Sequence, residues 1–84
     1  MPHLIEAFTA AIERSNALKS RPDNTVLLQL YGLYKQATES DNATPRPGFT
    51  DMRGRTKWTA WTECKDLSKE DAMQRYIDLV TRLE

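Results

Sequence analysis

The apolar positions of this chain fall into four clusters, each with the three-and-four spacing of one helical face. The first holds Leu4, Ile5, Phe8, Ala11, Ile12 and Leu18. It ends before Arg21-Pro22, because a proline disfavours helical geometry at the residue before it. Asp23 is then placed to cap a second helix, over about residues 24–39, by accepting from backbone amides that lack an intrahelical partner. Val26, Leu27, Leu28, Leu30, Tyr31, Leu33, Tyr34 and Ala37 leave that helix apolar around most of its circumference. Such a helix touches a core on one side and something else on the other. A third helix is expected over about residues 53–64, with Trp58, Trp61 and Cys64 on one face. A fourth starts at Ser68-Lys69-Glu70-Asp71, a hydroxyl and an acid at capping-box spacing, and presents Ala72, Met73, Tyr76, Ile77, Val80 and Leu83.

From Ser40 to Met52 there is no helical period and many turn formers. Extended, these residues reach about 43 Å, whereas the second helix is only about 24 Å long. The loop can therefore return past the whole of helix two and set helix three parallel to it, while the shorter links favour antiparallel neighbours. With no strand pattern and no internal repeat, the expectation is an all-α bundle forming one domain over residues 1–84.

Composition narrows the function classes. Twelve basic residues balance twelve acidic ones, which argues against a protein built to coat nucleic acid. Hydrophobic residues at 39% and charged residues at 29% fit a folded globular chain. No apolar run approaches the ~18 residues of a membrane span. The opening Met-Pro-His-Leu-Ile-Glu meets charge too early for a signal-peptide core. A lone cysteine, Cys64, has no internal disulfide partner, and the expected compartment is the reducing cytoplasm.

The reactive residues are few. His3 has no neighbour to form a catalytic pair. Cys64 reads either as a small buried hydrophobe or as a reactive thiol, and its place beside two tryptophans favours the first. One histidine and one cysteine are too few soft ligands for zinc, so no metal is expected. Asn42-Ala43-Thr44 matches a glycosylation sequon but reads as loop sequence. More informative are Tyr31, Tyr34 and Lys35, which spacings of three and four place on one face of helix two. Two phenols and an ammonium suit a flat aromatic ring beside an anion. They equally describe a snorkelling lysine beside amphipathic core tyrosines. After the long loop come Arg46, Arg53, Arg55 and Lys57 against the single acid Asp51, at the opening of a helix where the dipole already favours anions.

Tyr31-Gly32-Leu33-Tyr34-Lys35-Gln36-Ala37-Thr38 resembles the signature helix of the acyl-CoA-binding protein family. Arg46-Pro47-Gly48, Lys57-Trp58-Thr59-Ala60-Trp61, and Ser68-Lys69-Glu70-Asp71-Ala72-Met73 with Tyr76-Ile77 agree in order and spacing, as do Phe8, Leu18 and Pro22 of the first-helix pattern. The resemblance spans essentially the whole chain. It implies an up-down-down-up four-helix bundle that binds long-chain fatty acyl-CoA without catalysis or a cofactor, as a cytoplasmic monomer delivering the ester to enzymes or membranes. It also implies ligand residues at Tyr31, Gly32, Leu33, Tyr34 and Lys35, at Lys57 and Tyr76, and at Arg53, where the family commonly has a cation. Tyr31, Lys35 and Lys57 would hold the 3′-phosphate of the CoA ribose, Tyr34 would lie near the adenine, and Tyr76 would close the site. The acyl groove is expected along Leu27, Leu28 and Met52. Two departures stand out: Asn16 replaces a common helix-one cation, and the sequence stops at Glu84 where relatives run a few basic residues further. Two other functions compete with the carrier. One is a helical module docking a peptide or membrane through apolar helix two; the other is an acyl-CoA hydrolase, for which His3 and Cys64 are poor material.

Overall fold

The structure is a computed structural model that describes residues 3–84. It contains four helices: α1 Leu4–Asn16, α2 Asn24–Glu39, α3 Met52–Thr62 and α4 Lys69–Leu83. The expected caps form. Asp23 accepts from the Val26 amide at 3.0 Å, and the Ser68 hydroxyl accepts from the Asp71 amide at 3.0 Å. Asp51 supplies a third cap, accepting from the Gly54 amide at 2.9 Å. A Cβ at position 54 would overlap that carboxylate, so the cap depends on glycine.

Two helices differ from expectation at their ends. α1 stops at Asn16 and leaves Leu18 in the connection. α3 starts at Met52, where the Asp51 cap sets it, and stops at Thr62. Beyond it, Cys64 and Lys65 donate to the carbonyls of Trp61 and Thr62 in tightened turns, and Asp66 takes a positive φ of 76°. Cys64 therefore lies past the helix and not on its face.

The helices lie in a row in the order α1, α4, α2, α3, giving a flat body of 38 × 29 × 15 Å. α2 is flanked by α4 on one side and α3 on the other, as its apolar circumference led one to expect, and Leu27, Leu28, Tyr31 and Leu33 stay half-buried between them. Phe8, Ala11, Leu30, Ala37, Ala72, Tyr76, Leu79 and Val80 form the core of α1, α2 and α4. Helix directions follow from the paired residues. Lys57 meets Tyr31, Ala60 backs Gly32 and Lys35 lies over Trp61, so the numbers rise together and α3 runs parallel to α2. Phe8 early in α1 stacks on Tyr34 late in α2, as expected for antiparallel helices joined by a short link. Phe8 meets Tyr76 and Arg14 meets Glu84, so α1 and α4 are parallel. The bundle is up-down-down-up.

The long loop is pinned. Trp61 Nε1 donates to the Ser40 carbonyl at 2.8 Å and Trp58 Nε1 to the Thr44 carbonyl at 2.9 Å. The half-buried Asn42 amide donates to Thr62 Oγ1 and the Trp58 carbonyl. The sequon asparagine is thus a structural tie. Fully buried Gln36 donates from Nε2 to Asp41 Oδ1 at 2.8 Å and to the Leu67 carbonyl at 2.9 Å, joining α2 to the connections on both sides of α3. The Asp66 amide and the Gln36 side chain hold the Asp41 carboxyl below its ordinary value of 3.8.

Candidate functional site

The close crossing of α2 and α3 divides the surface into two concavities. At Gly32 an added Cβ would sit 2.8 Å from the Ala60 carbonyl carbon and 3.3 Å from Cys64 Sγ, so only glycine lets the helices approach this far. On one side of that seam is a cleft of about 190 Å³ lined by Tyr31, Lys35, Lys57, Trp58 and Trp61, with Thr44, Pro45 and Pro47 from the loop. On the other is a groove of about 740 Å³ between α2, α3 and α4, with Leu28, Leu33, Ala60, Leu67 and Leu79 along it.

The smaller cleft collects the charge. The Lys35 ammonium lies 4.8 Å from the centroid of Trp61, and the Lys57 ammonium 5.3 Å from that of Tyr31. Two cations on two parallel helices, each against an aromatic face, make a polar site for an anion with a flat partner. Lys35 also forms an ion pair with Glu39 one turn along α2, and that hydrogen bond raises the lysine pKa above its usual 10.5. Lys35 is charged at neutral pH, and an arriving anion competes with Glu39 for it.

The other expected ligand residues are spread more widely. Tyr34 is 40% exposed and stacks on Phe8 at 6.2 Å, next to the cleft but not lining it. Tyr76 is buried at 5% exposure, edge-on to Phe8, with its hydroxyl 3.1 Å from Ser15 Oγ. An aromatic chain, Tyr76 to Phe8 to Tyr34, is what connects it to the α2 face. Asn16 is exposed at the end of α1, and Arg53 is exposed in the first turn of α3. Gly32 serves the helix crossing rather than a ligand surface, and Leu33 faces the wide groove and the core. The acyl-groove trio diverges. Leu28 lines the wide groove, Leu27 lies one turn before Tyr31 on the other side of the seam, and Met52 projects into solvent at 71% exposure. What the spacing left out is the role of the two tryptophans. Their rings back the lysine and floor the cleft while their indole N–H groups fasten the loop; the three-residue interval in Lys57-Trp58-Thr59-Ala60-Trp61 was the available signal.

Cys64 borders the wide groove, half-buried, with Sγ donating to the Ala60 carbonyl at 3.6 Å. Burial pushes its thiol pKa up, so it is a packing residue and not an activated nucleophile.

Residues 5–80 match the family model for acyl-CoA-binding protein. The chain belongs to the acyl-CoA-binding protein family. It is 46% identical over 77 residues to acyl-CoA-binding protein homolog 1 of Caenorhabditis elegans, covering 92% of this chain and 90% of that one. A match of the same identity over 76 residues covers 90% of this chain but 19% of enoyl-CoA delta isomerase 2 of Rattus norvegicus, so a module of this kind is also carried inside a longer enzyme. The crystal structure of acyl-CoA-binding protein 2 of Oryza sativa superposes with a TM-score of 0.91 at 42% identity, covering 95% of this chain and 89% of that one. Family and fold together support acyl-CoA binding.

Proposed function

We propose that this protein is a non-enzymatic carrier of long-chain fatty acyl-CoA, holding the headgroup at the Tyr31–Lys35–Lys57 cleft and the acyl chain along the α2–α3 seam. The observation that carries the reading is the convergence of Lys35 and Lys57, from two helices, on one cleft backed by Tyr31 and Trp61 in a chain of zero net charge. The ribose 3′-phosphate is the natural partner for that pair. Arg53, at the start of α3, and Asn16, at the end of α1, extend the polar surface on either side, and Tyr34 offers the adenine a partly exposed ring. Tyr76 acts through the Phe8–Tyr34 stack, fixing the ring that the adenine meets. Leu27, Leu28 and Met52 flank the path of the acyl chain. The protein works as a monomer in the cytoplasm and hands its ligand to acyl-CoA-using enzymes or membranes.

The energetics divide between the two halves of the ligand. About ten buried methylenes contribute roughly 8 kcal/mol, which alone corresponds to about micromolar binding. Charge-assisted hydrogen bonds to phosphate, about 1.5–3 kcal/mol each, would add further decades and reject a free fatty acid. Parallel calorimetric titrations with palmitoyl-CoA, CoA and palmitate test this. Tight binding of the ester, weaker binding of CoA and none of palmitate are expected. An ester that binds no better than its parts would overturn the reading.

A further inference from the structure

Ser15, half-buried in the last turn of α1, makes two hydrogen bonds. Its Oγ donates to the Ile12 carbonyl at 2.7 Å and lies 3.1 Å from the hydroxyl oxygen of Tyr76 on α4. A serine hydroxyl has one proton and two lone pairs. That proton is committed to Ile12, because a carbonyl can only accept. The proton in the second bond therefore belongs to Tyr76, which donates to Ser15 and has no other proton to give. What the phenol oxygen keeps free is its lone pairs.

This polarity limits what Tyr76 can recognise. An oxygen with only lone pairs to offer repels a phosphate and accepts from an N–H group. The Tyr76 ring is buried, but its hydroxyl end reaches half-buried Ser15, beside exposed Asn16. The hydroxyl thus lies at the margin of the core on the α1 side, whereas Lys35 and Lys57 belong to the cleft between α2 and α3.

CoA carries N–H donors in two places, the exocyclic amine of adenine and the amides of the pantetheine arm. The helices lie in the order α1, α4, α2, α3, so an acyl chain on the α2–α3 seam leads the pantetheine arm away from α1. The adenine, placed on Tyr34, stays near it. Tyr34 stacks on Phe8 at 6.2 Å, and Phe8 meets Tyr76 edge-on at 5.2 Å. Phe8 and Ser15 are seven residues apart, on one face of α1.

We infer that Ser15 is a positioning residue that fixes the hydrogen-bond polarity of Tyr76, so that the phenol accepts from the exocyclic amine of adenine and rejects a purine with a carbonyl in its place. The inference rests on the carrier reading above and adds to it a means of selecting the base. Phe8 holds the ring of Tyr76, and Ser15 holds its proton. A carbonyl in place of the amine would set two acceptor oxygens against each other, both unsatisfied.

The test is calorimetric titration with palmitoyl-CoA and with its hypoxanthine analogue, in which a carbonyl replaces the amine at C6. Wild type is expected to bind the adenine ester about tenfold more tightly. Ser15→Ala frees the phenol proton to meet a carbonyl, and should bring the two esters within about twofold of each other, chiefly by tightening the hypoxanthine ester. Ser15→Thr keeps a hydroxyl and should restore the preference. Tyr76→Phe should lose it, and all three variants should keep helical circular dichroism. A merely structural role for Ser15 would weaken both esters by the same factor and leave their ratio unchanged. That result, or a wild type that binds the two esters equally, would overturn the inference and leave the carrier reading standing. A wild type that binds neither ester would sink both.

Discussion

The two sides of the α2–α3 seam differ in a way that size alone would misjudge. The groove behind it, about 740 Å³, is nearly four times the cleft in front, about 190 Å³. Yet the groove sets Arg75 and Arg82 against Glu63 and Asp78, a balanced set, while the cleft gathers Lys35 and Lys57 with aromatic faces behind them. A volume results wherever two helices fail to meet, as α3 and α4 do here. A bias of charge inside a neutral chain has to be built, residue by residue, and is the better guide to a ligand.

The sharpest way to break this contrast is to remove cations on each side. Lys35→Ala and Lys57→Ala should each weaken palmitoyl-CoA binding about 10- to 100-fold, the loss of one charge-assisted contact. Arg75→Ala and Arg82→Ala should leave it within about twofold. If the groove arginines cost as much as the cleft lysines, the ligand headgroup lies behind the seam, and the assignment of sides is reversed. Calorimetry on four purified variants decides it.

Next in size is the seam itself. Gly32→Ala puts a methyl into the Ala60 carbonyl, and α3 has to move off α2 to accept it. Overpacking of this kind costs about 1–3 kcal/mol. A chemical denaturation midpoint lowered accordingly, with weaker ligand binding, is expected. An unchanged midpoint would mean that the seam is soft and that the two concavities are not held apart by this crossing.

The contrast also explains which parts were legible in the sequence. Asp23 and Ser68 announced their helices because a cap is a local event, decided by a side chain and an amide three residues away. The parallel pairing of α2 and α3 was legible from loop length against helix length. Tyr31, Lys35 and Lys57 were readable through a family signature, whereas their spacing alone left a packing explanation open. The misplacement of Cys64 and the split of Leu27 from Leu28 across the seam came from the same source. A helical period says which residues share a face, but not where a turn ends it or which neighbour divides that face. The double duty of Trp58 and Trp61, ring to the cleft and N–H to the loop, depends on Ser40 and Thr44 returning from outside α3, which no local pattern encodes.

The Gln36–Asp41–Leu67 tie joins α2 to the connections on both sides of α3, and its pH response tests how far the fold depends on it. The Asp41 pKa is lowered in the folded protein, chiefly by the Asp66 amide and then by Gln36. A depressed carboxylate stabilises the fold above its unfolded value, near 3.8, and that contribution is lost as pH falls through the lower folded value. Asp41→Asn keeps the shape and removes the charge. Its stability should fall below wild type at neutral pH and converge with it under acid, as read by thermal melts from pH 7 downward. A gap that persists unchanged into acid would assign the effect to packing instead of charge.

The smallest expected effect probes the cleft from within. Glu39 holds the Lys35 ammonium in the ligand-free protein, and its carboxylate is half exposed, so the pair is worth little by itself. Its importance is competitive: a phosphate that takes Lys35 must displace Glu39 and then remain near a like charge. Glu39→Gln should therefore tighten palmitoyl-CoA binding by about two- to fivefold at low ionic strength, a gain that shrinks as salt screens the pair. The opposite sign is equally informative. Weaker binding in Glu39→Gln would mean that the carboxylate positions the ammonium over Trp61 for the ligand, and that its orienting role outweighs its repulsion. No acid faces Lys57 in an ion pair among the described residues, so the cleft would then combine one positioned lysine and one free one, with Lys57→Ala the more salt-sensitive of the two variants.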